Sequence, residues 1–197
     1  MTKKRISTSF YVLVYALGIL AALLAGNLIS LNASQGHGDV MGLLYFYIMI
    51  VPLIQMFVIV VLLTFIYKVW KPLQDGHARI SPAAAAWLLL IPIFQLYWVF
   101  RAIWGFAKDY NRFIERHGLE LGRLSEKFYL TTSILISIKC AYLTVGTLQP
   151  LLFKEMTLLG SYSTYVLSFP VPILILITIV RSCRAINALP EPAHEEE

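Results

Sequence analysis

Lys139 lies near the middle of an otherwise uncharged run, Phe128 to Phe153. An ammonium at that depth in a bilayer costs roughly 2.5–3.5 kcal/mol on insertion scales and needs a partner. No Asp or Glu falls in any of the long apolar runs of the chain, so the available partners are neutral. They are Gln55 in another run, Tyr142 three residues further along, and carbonyls freed by Pro170 or Pro172. Thr132, Lys139, Tyr142, Gly146 and Gln149 fall on one side of a helix, a polar stripe that must face protein or a water-filled cavity. Two readings stay open: a structural lysine, hydrogen-bonded or deprotonated by burial, or a site for an anion, a headgroup or a partner's carboxylate. A second group is Asp75, His77 and Arg79 in "QDGHAR". It has the chemistry to hold a phosphate or headgroup, although Asp-Gly is equally a plain turn signal. Catalysis would have to be assembled from Asp75, His77, Asp109 and His117, and nothing in their spacing demands it.

Other chemistries lack their residues. His37, His77, His117 and His194 all lie outside the apolar runs, which disfavours a haem held between buried histidines. There is no Cys/His metal spacing, phosphate-binding glycine loop or G-x-S-x-G elbow, so no cofactor or metal is expected. Cys140 and Cys183 give no disulfide framework.

The elements that would position these residues are membrane helices. With 58% hydrophobic and 14% charged residues, and a mean hydropathy of +0.72, 197 residues cannot hide their apolar surface in a water-soluble core. Four runs, about 10–31, 41–67, 128–153 and 162–180, approach or exceed the roughly 20 residues needed to cross about 30 Å of hydrocarbon. The first is too long for a signal-peptide core. Gly18, Ala22, Gly26 and Ser30 recur every fourth residue on it, a small-residue face for helix packing or self-association.

A fifth apolar stretch, Ser81 to Phe106, is broken by Pro92. If it crosses the membrane, loop cations divide seven to eight between the sides, against the inside preference of Lys and Arg. If it enters and returns on one side, fourteen of the sixteen Lys and Arg fall together, leaving Lys154 opposite and Lys139 in the membrane. Ser81 suits an N-cap and Pro82 a first helical position, giving a short helix to Ile91 and a turn at Pro92. Trp70, Trp87, Trp98 and Trp104 cluster here, as at a headgroup interface. A single kinked span remains the alternative.

Beyond it, Ile103, Phe106, Ala107, Tyr110, Phe113, Ile114 and His117 recur at helical spacing. Arg101, Lys108, Asp109, Asn111, Arg112, Glu115 and Arg116 fill the other side of this amphipathic surface helix. Its cations suit an anionic leaflet or a docked partner.

The expected fold is therefore all-α: one integral membrane domain over 1–187 and a disordered acidic tail over 188–197. It comprises a four-helix transmembrane bundle, a cytoplasmic-side re-entrant or interfacial hairpin with an amphipathic helix over about 82–117, and both termini cytoplasmic. The stretches "KVWKPLQDGHARISP" and "IPIFQLYWVFRAIWGFAKDYNRFIERHG", within Lys68 to Gly118, resemble a segment of small bacterial polytopic membrane proteins without an assigned reaction. That resemblance implies a bacterial inner-membrane protein and adds no catalytic residue. The expected function is a non-catalytic accessory or scaffold protein whose partners are membrane lipids, including anionic headgroups, a protein, or a second copy, and not nucleic acid. The alternatives are a transporter or channel element for an anionic solute using Lys139 and, behind it, an interfacial lipid-modifying enzyme.

Overall fold

A computed structural model of the protein describes residues 5–35, 40–152 and 170–190. The regular elements among those residues are all helices, with no strand among them. The long helices are α1 (Thr8–Gln35), α2 (Val40–Trp70), α6 (Glu126–Leu152) and α7 (Pro170–Ala188). Between them lie the short α3 (Pro82–Trp87) and α4 (Phe94–Val99), and α5 (Gly105–Arg116). Among the described residues two helices, Met49–Leu73 and Pro170–Ala188, are long and apolar enough to cross a membrane. Residues 191–197 of the expected tail and the 162–169 part of the expected last span lie outside the described residues, while Ala188 closes the last helix and Leu189 is buried, so the expected disordered tail does not begin at 188. The last helix continues past the expected end at Val180 to Ala188, because nothing in "RSCRAINA" breaks it.

The chain forms two compact units. One is Ser9–Phe65. In it α1 and α2 run antiparallel, with Tyr11 against Phe65 at 5.2 Å and Gln55 Nε2 donating to the Gly18 carbonyl at 3.0 Å. A Cβ on Gly18 would stand 2.6 Å from Val58 Cγ2, so this approach requires glycine. Leu13, Leu17, Leu20, Leu53, Met56 and Phe57 are exposed, leaving outward faces as apolar as the contact.

The other unit holds the described parts of 1–8 and 66–197. Its core is an aromatic column in which Trp70, wholly buried at 0% exposure, meets Phe106 edge-on at 5.9 Å, and Phe106 contacts Tyr129 at 6.3 Å. Tyr129 Oη and Ser182 Oγ then share a hydrogen bond of 2.8 Å, tying the start of α6 to the end of α7. Trp70 was expected at a headgroup interface; it is interior because its indole Nε1 has a buried acceptor, the Ala102 carbonyl, at 3.0 Å.

Residues 82–104 fold back on themselves. The Ser81 hydroxyl caps α3 by accepting from the Ala84 amide at 3.2 Å, with Pro82 at the first helical position. Rather than continuing as an α-helix to Ile91, the chain tightens into a 3-10 turn at Leu88–Leu90. The physical reason is Pro92, which brings no N–H and favours the extended geometry found at Ile91 (φ −80°, ψ 114°). In the returning arm Trp98 Nε1 donates to the Ala84 carbonyl at 2.9 Å. A straight helix would separate residues fourteen apart by about 21 Å at 1.5 Å each, so this bond fixes a reversal.

The returning arm then widens into a π-helical turn, Phe100–Trp104. Such insertions leave carbonyls in need of other donors, and Ala102 receives its donor from Trp70. The hairpin also packs against α6, where Ser137 Oγ donates to the Leu96 carbonyl at 3.0 Å.

Two asparagines close the unit through paired backbone bonds. Asn111 Oδ1 accepts from the Leu124 amide at 2.8 Å while its Nδ2 donates to the Leu124 carbonyl at 2.9 Å. Asn187 does the same to Ile6, with both bonds at 2.9 Å. The segment before α1 therefore lies beside the end of α7.

Candidate functional site

The segment 71–81 joins α2 to the hairpin and contains "QDGHAR", where the sequence offers either a plain turn or a phosphate or headgroup site. Gly76, at φ 82°, supplies the left-handed residue of that turn, and Asp75 accepts from the His77 amide at 3.0 Å. The turn is pinned to α5 by two ion pairs. Arg116 donates to Asp75 Oδ2 from Nε at 3.2 Å and also from Nη2. Arg79 Nε lies 3.1 Å from Asp109 Oδ1, and its backbone amide donates to Asp109 Oδ2 at 3.3 Å.

Asp109 was expected on the solvated side of the amphipathic helix. It is 5% exposed, sharing the inner face of α5 with Phe106, Ala107, Tyr110 and Ile114. The reason is Arg79, thirty residues earlier, which supplies a charge where α5 meets the turn. His117, expected on the apolar face, is exposed past the helix end and stacks on Phe113 at 4.2 Å.

Burial pushes the Asp109 carboxyl up to about 6, against the pull of Arg101, Arg116 and Lys108. Asp75 is also pushed upward by burial, but the Arg116 hydrogen bond and the His77 amide outweigh it and hold the carboxyl below its usual value. The two groups act oppositely on stability. Asp109 contributes most below about pH 4, where an unfolded aspartate starts to ionise, and the contribution is lost as pH rises through 6. Asp75 stabilises above about pH 4, and that contribution is lost as pH falls through its lowered value. Unfolding free energies measured from pH 4.5 to 7.5 should therefore fall by a component, at most about 3 kcal/mol, that Asp109→Asn lacks. Parallel profiles for the two proteins would mean that Asp109 does not titrate in this window.

Above this ion pair is a cavity of about 200 Å³. Its walls include Trp70, Tyr97 and Trp104, the cations Arg79, Arg101 and Lys108, and the single carboxylate of Asp109. The residues between 97 and 108 that line it follow helical spacing, so α4, the π turn and α5 present one continuous wall. Lys108 Nζ lies 3.6 Å above the Trp104 ring. Arg79 is engaged by Asp109. Among the described residues Arg101 and Lys108 have no ion-pair partner, though both lie within the field of Asp109.

No protein-family model, curated protein or solved structure matches this chain.

The remaining sequence candidates are dispersed. Thr132 is buried and returns its hydroxyl to the Phe128 carbonyl of its own helix at 2.9 Å. Lys139 is half-buried and Tyr142 exposed on α6. Gln55 is taken up by Gly18 in the helix pair, where Ala22 is half-buried. Gly26, Ser30, Gly146 and Gln149 lie outside the residues whose side chains are described. Of the surface cations, Arg101 and Lys108 line the cavity, Arg116 holds Asp75, and Arg112 is exposed away from it. The sequence reading missed Trp70, Tyr97, Trp104 and Asp109 as partners of these cations. The available signal was the tryptophan cluster beside them.

Proposed function

We propose that this protein is a non-catalytic scaffold of the bacterial inner membrane, with four spans and a hairpin that dips into the bilayer from the cytoplasmic side. The hairpin root and α5 then form a platform for lipid headgroups or a protein partner.

The observation that carries the reading is the hairpin's reversed path combined with an apolar tip. Leu90, Ile91, Pro92, Ile93 and Phe94 are exposed in succession, Ile93 at 76%. A contiguous apolar surface of this kind belongs in hydrocarbon or in an interface. Its depth supports the first: Ser137, which meets Leu96, is eleven residues into α6, about 16 Å along the helix and half a hydrocarbon core. The Ile6–Asn187 clamp sets the segment before α1 beside the end of α7, a proximity that supports an even number of crossings. The four spans would also give the exposed leucines and methionines of α1 and α2 a lipid environment.

The test is cysteine accessibility in a Cys140→Ala, Cys183→Ala background with single cysteines at His77, Arg112 or Gly122. All three positions are exposed, and a Cβ at Gly122 meets nothing within 4 Å. A membrane-impermeant maleimide should label all three in inverted vesicles and none in intact spheroplasts. Labelling of His77 from one side with Arg112 and Gly122 from the other would make residues 82–106 a fifth span and overturn the platform.

A further inference from the structure

We infer that the cavity at the hairpin root binds the phosphate group of an anionic membrane lipid, with Arg101 and Lys108 as its principal ligands. This rests on the platform reading and names the lipid chemistry it would recognise.

The charge balance points to an anion: three cations against one carboxylate surround a space of about 200 Å³. Asp109 occupies Arg79, which fixes the guanidinium in the wall and leaves Arg101 and Lys108 as the cations free of ion pairs among the described residues. Arg101 brings a planar fork matched to two phosphate oxygens, and Lys108 a point charge held over the Trp104 ring of the wall. The volume is below the range usual for drug-sized ligands, which suits a headgroup phosphate better than a nucleotide.

The surface beside the cavity points to lipid as the source. Tyr97 is both a wall of the cavity and exposed, and it lies one helical turn from Ile93 at the apolar tip. Polar mouth and apolar hairpin thus form one continuous surface, along which an acyl chain lies while its phosphate reaches the cations. A free phosphate would make no use of that surface.

The assignment predicts that the purified protein, in a neutral maltoside detergent, binds dihexanoyl phosphatidic acid in native mass spectrometry and by titration calorimetry. Arg101→Gln and Lys108→Gln should each weaken binding at least tenfold, while Arg112→Gln leaves it unchanged. Melting curves without lipid establish that each variant folds, and if Arg101→Gln does not, Lys108→Gln carries the same test. Inorganic phosphate binding as tightly as the lipid would overturn the lipid source. Equal binding of dihexanoyl phosphatidylcholine, indifferent to both substitutions, would overturn the phosphate site. Absent lipid binding with unchanged cysteine labelling sinks this inference and spares the platform. Lipid binding that depends on Arg101, together with labelling of Arg112 from the outer side, sinks the platform and spares the cavity.

Discussion

Trp70→Ala is expected to lower the unfolding free energy in detergent by about 3–5 kcal/mol, the range for deleting a large buried aromatic. The site has little means of collapse. Trp70 is fully enclosed, its ring meets Phe106, and its Nε1–H is the side-chain donor to the Ala102 carbonyl in the π turn. Trp70→Phe separates the two contributions. It retains most of the packing and leaves Ala102 without this donor, at a cost of about 1–3 kcal/mol. Denaturant titration of the three proteins measures both steps. Equal stabilities for wild type and Trp70→Phe would show that the π-turn carbonyl finds another donor, and a small loss in Trp70→Ala would contradict the aromatic column.

Ile93→Asp tests the other end of the hairpin. Ile93 makes little contact within the protein, so in a detergent-free aqueous account the substitution would be nearly silent. With the tip in hydrocarbon, a carboxylate there costs roughly 2.5–3.5 kcal/mol, the insertion scale for aspartate at the centre of a membrane helix. The expected result is a protein that reaches the membrane poorly or loses the one-sided labelling of Arg112, whereas Ile93→Leu behaves as wild type. Normal membrane yield and labelling for Ile93→Asp would place the tip in water. The contrast with Trp70→Ala is useful because one variant fails through packing and the other through solvent.

What the sequence makes legible follows from how local the cause is. The Ser81 cap and Pro82 need only their neighbours, and the turn at Pro92 follows from a missing N–H and the geometry imposed on Ile91. Helical character over the long apolar runs is equally plain from composition. Asp109 is different. Its periodicity on α5 puts it among solvated charges, and only the Arg79 guanidinium, supplied by a turn thirty residues away, makes its burial tolerable. Trp70 misleads in the same way, since an indole near a membrane boundary reads as a belt residue until a buried carbonyl is found for its N–H. The cavity was hidden for both reasons together: two of its walls, Trp70 and Trp104, are indoles assigned to an interface, and its cations come from two separate stretches. Periodicity reports which face a residue occupies on its own helix, and carries nothing about what another element brings to that face.

The paired bonds between Asn187 and Ile6 bear on the order of biosynthesis. Ile6 leaves the ribosome 181 residues before its mate exists, so the amide and carbonyl at that position wait through almost the whole of translation before the loop is closed. Every nascent intermediate stopping short of Asn187 carries an unlatched amino-terminal segment. A protease or chaperone that samples this segment would in effect be measuring whether the carboxy-terminal helix has arrived.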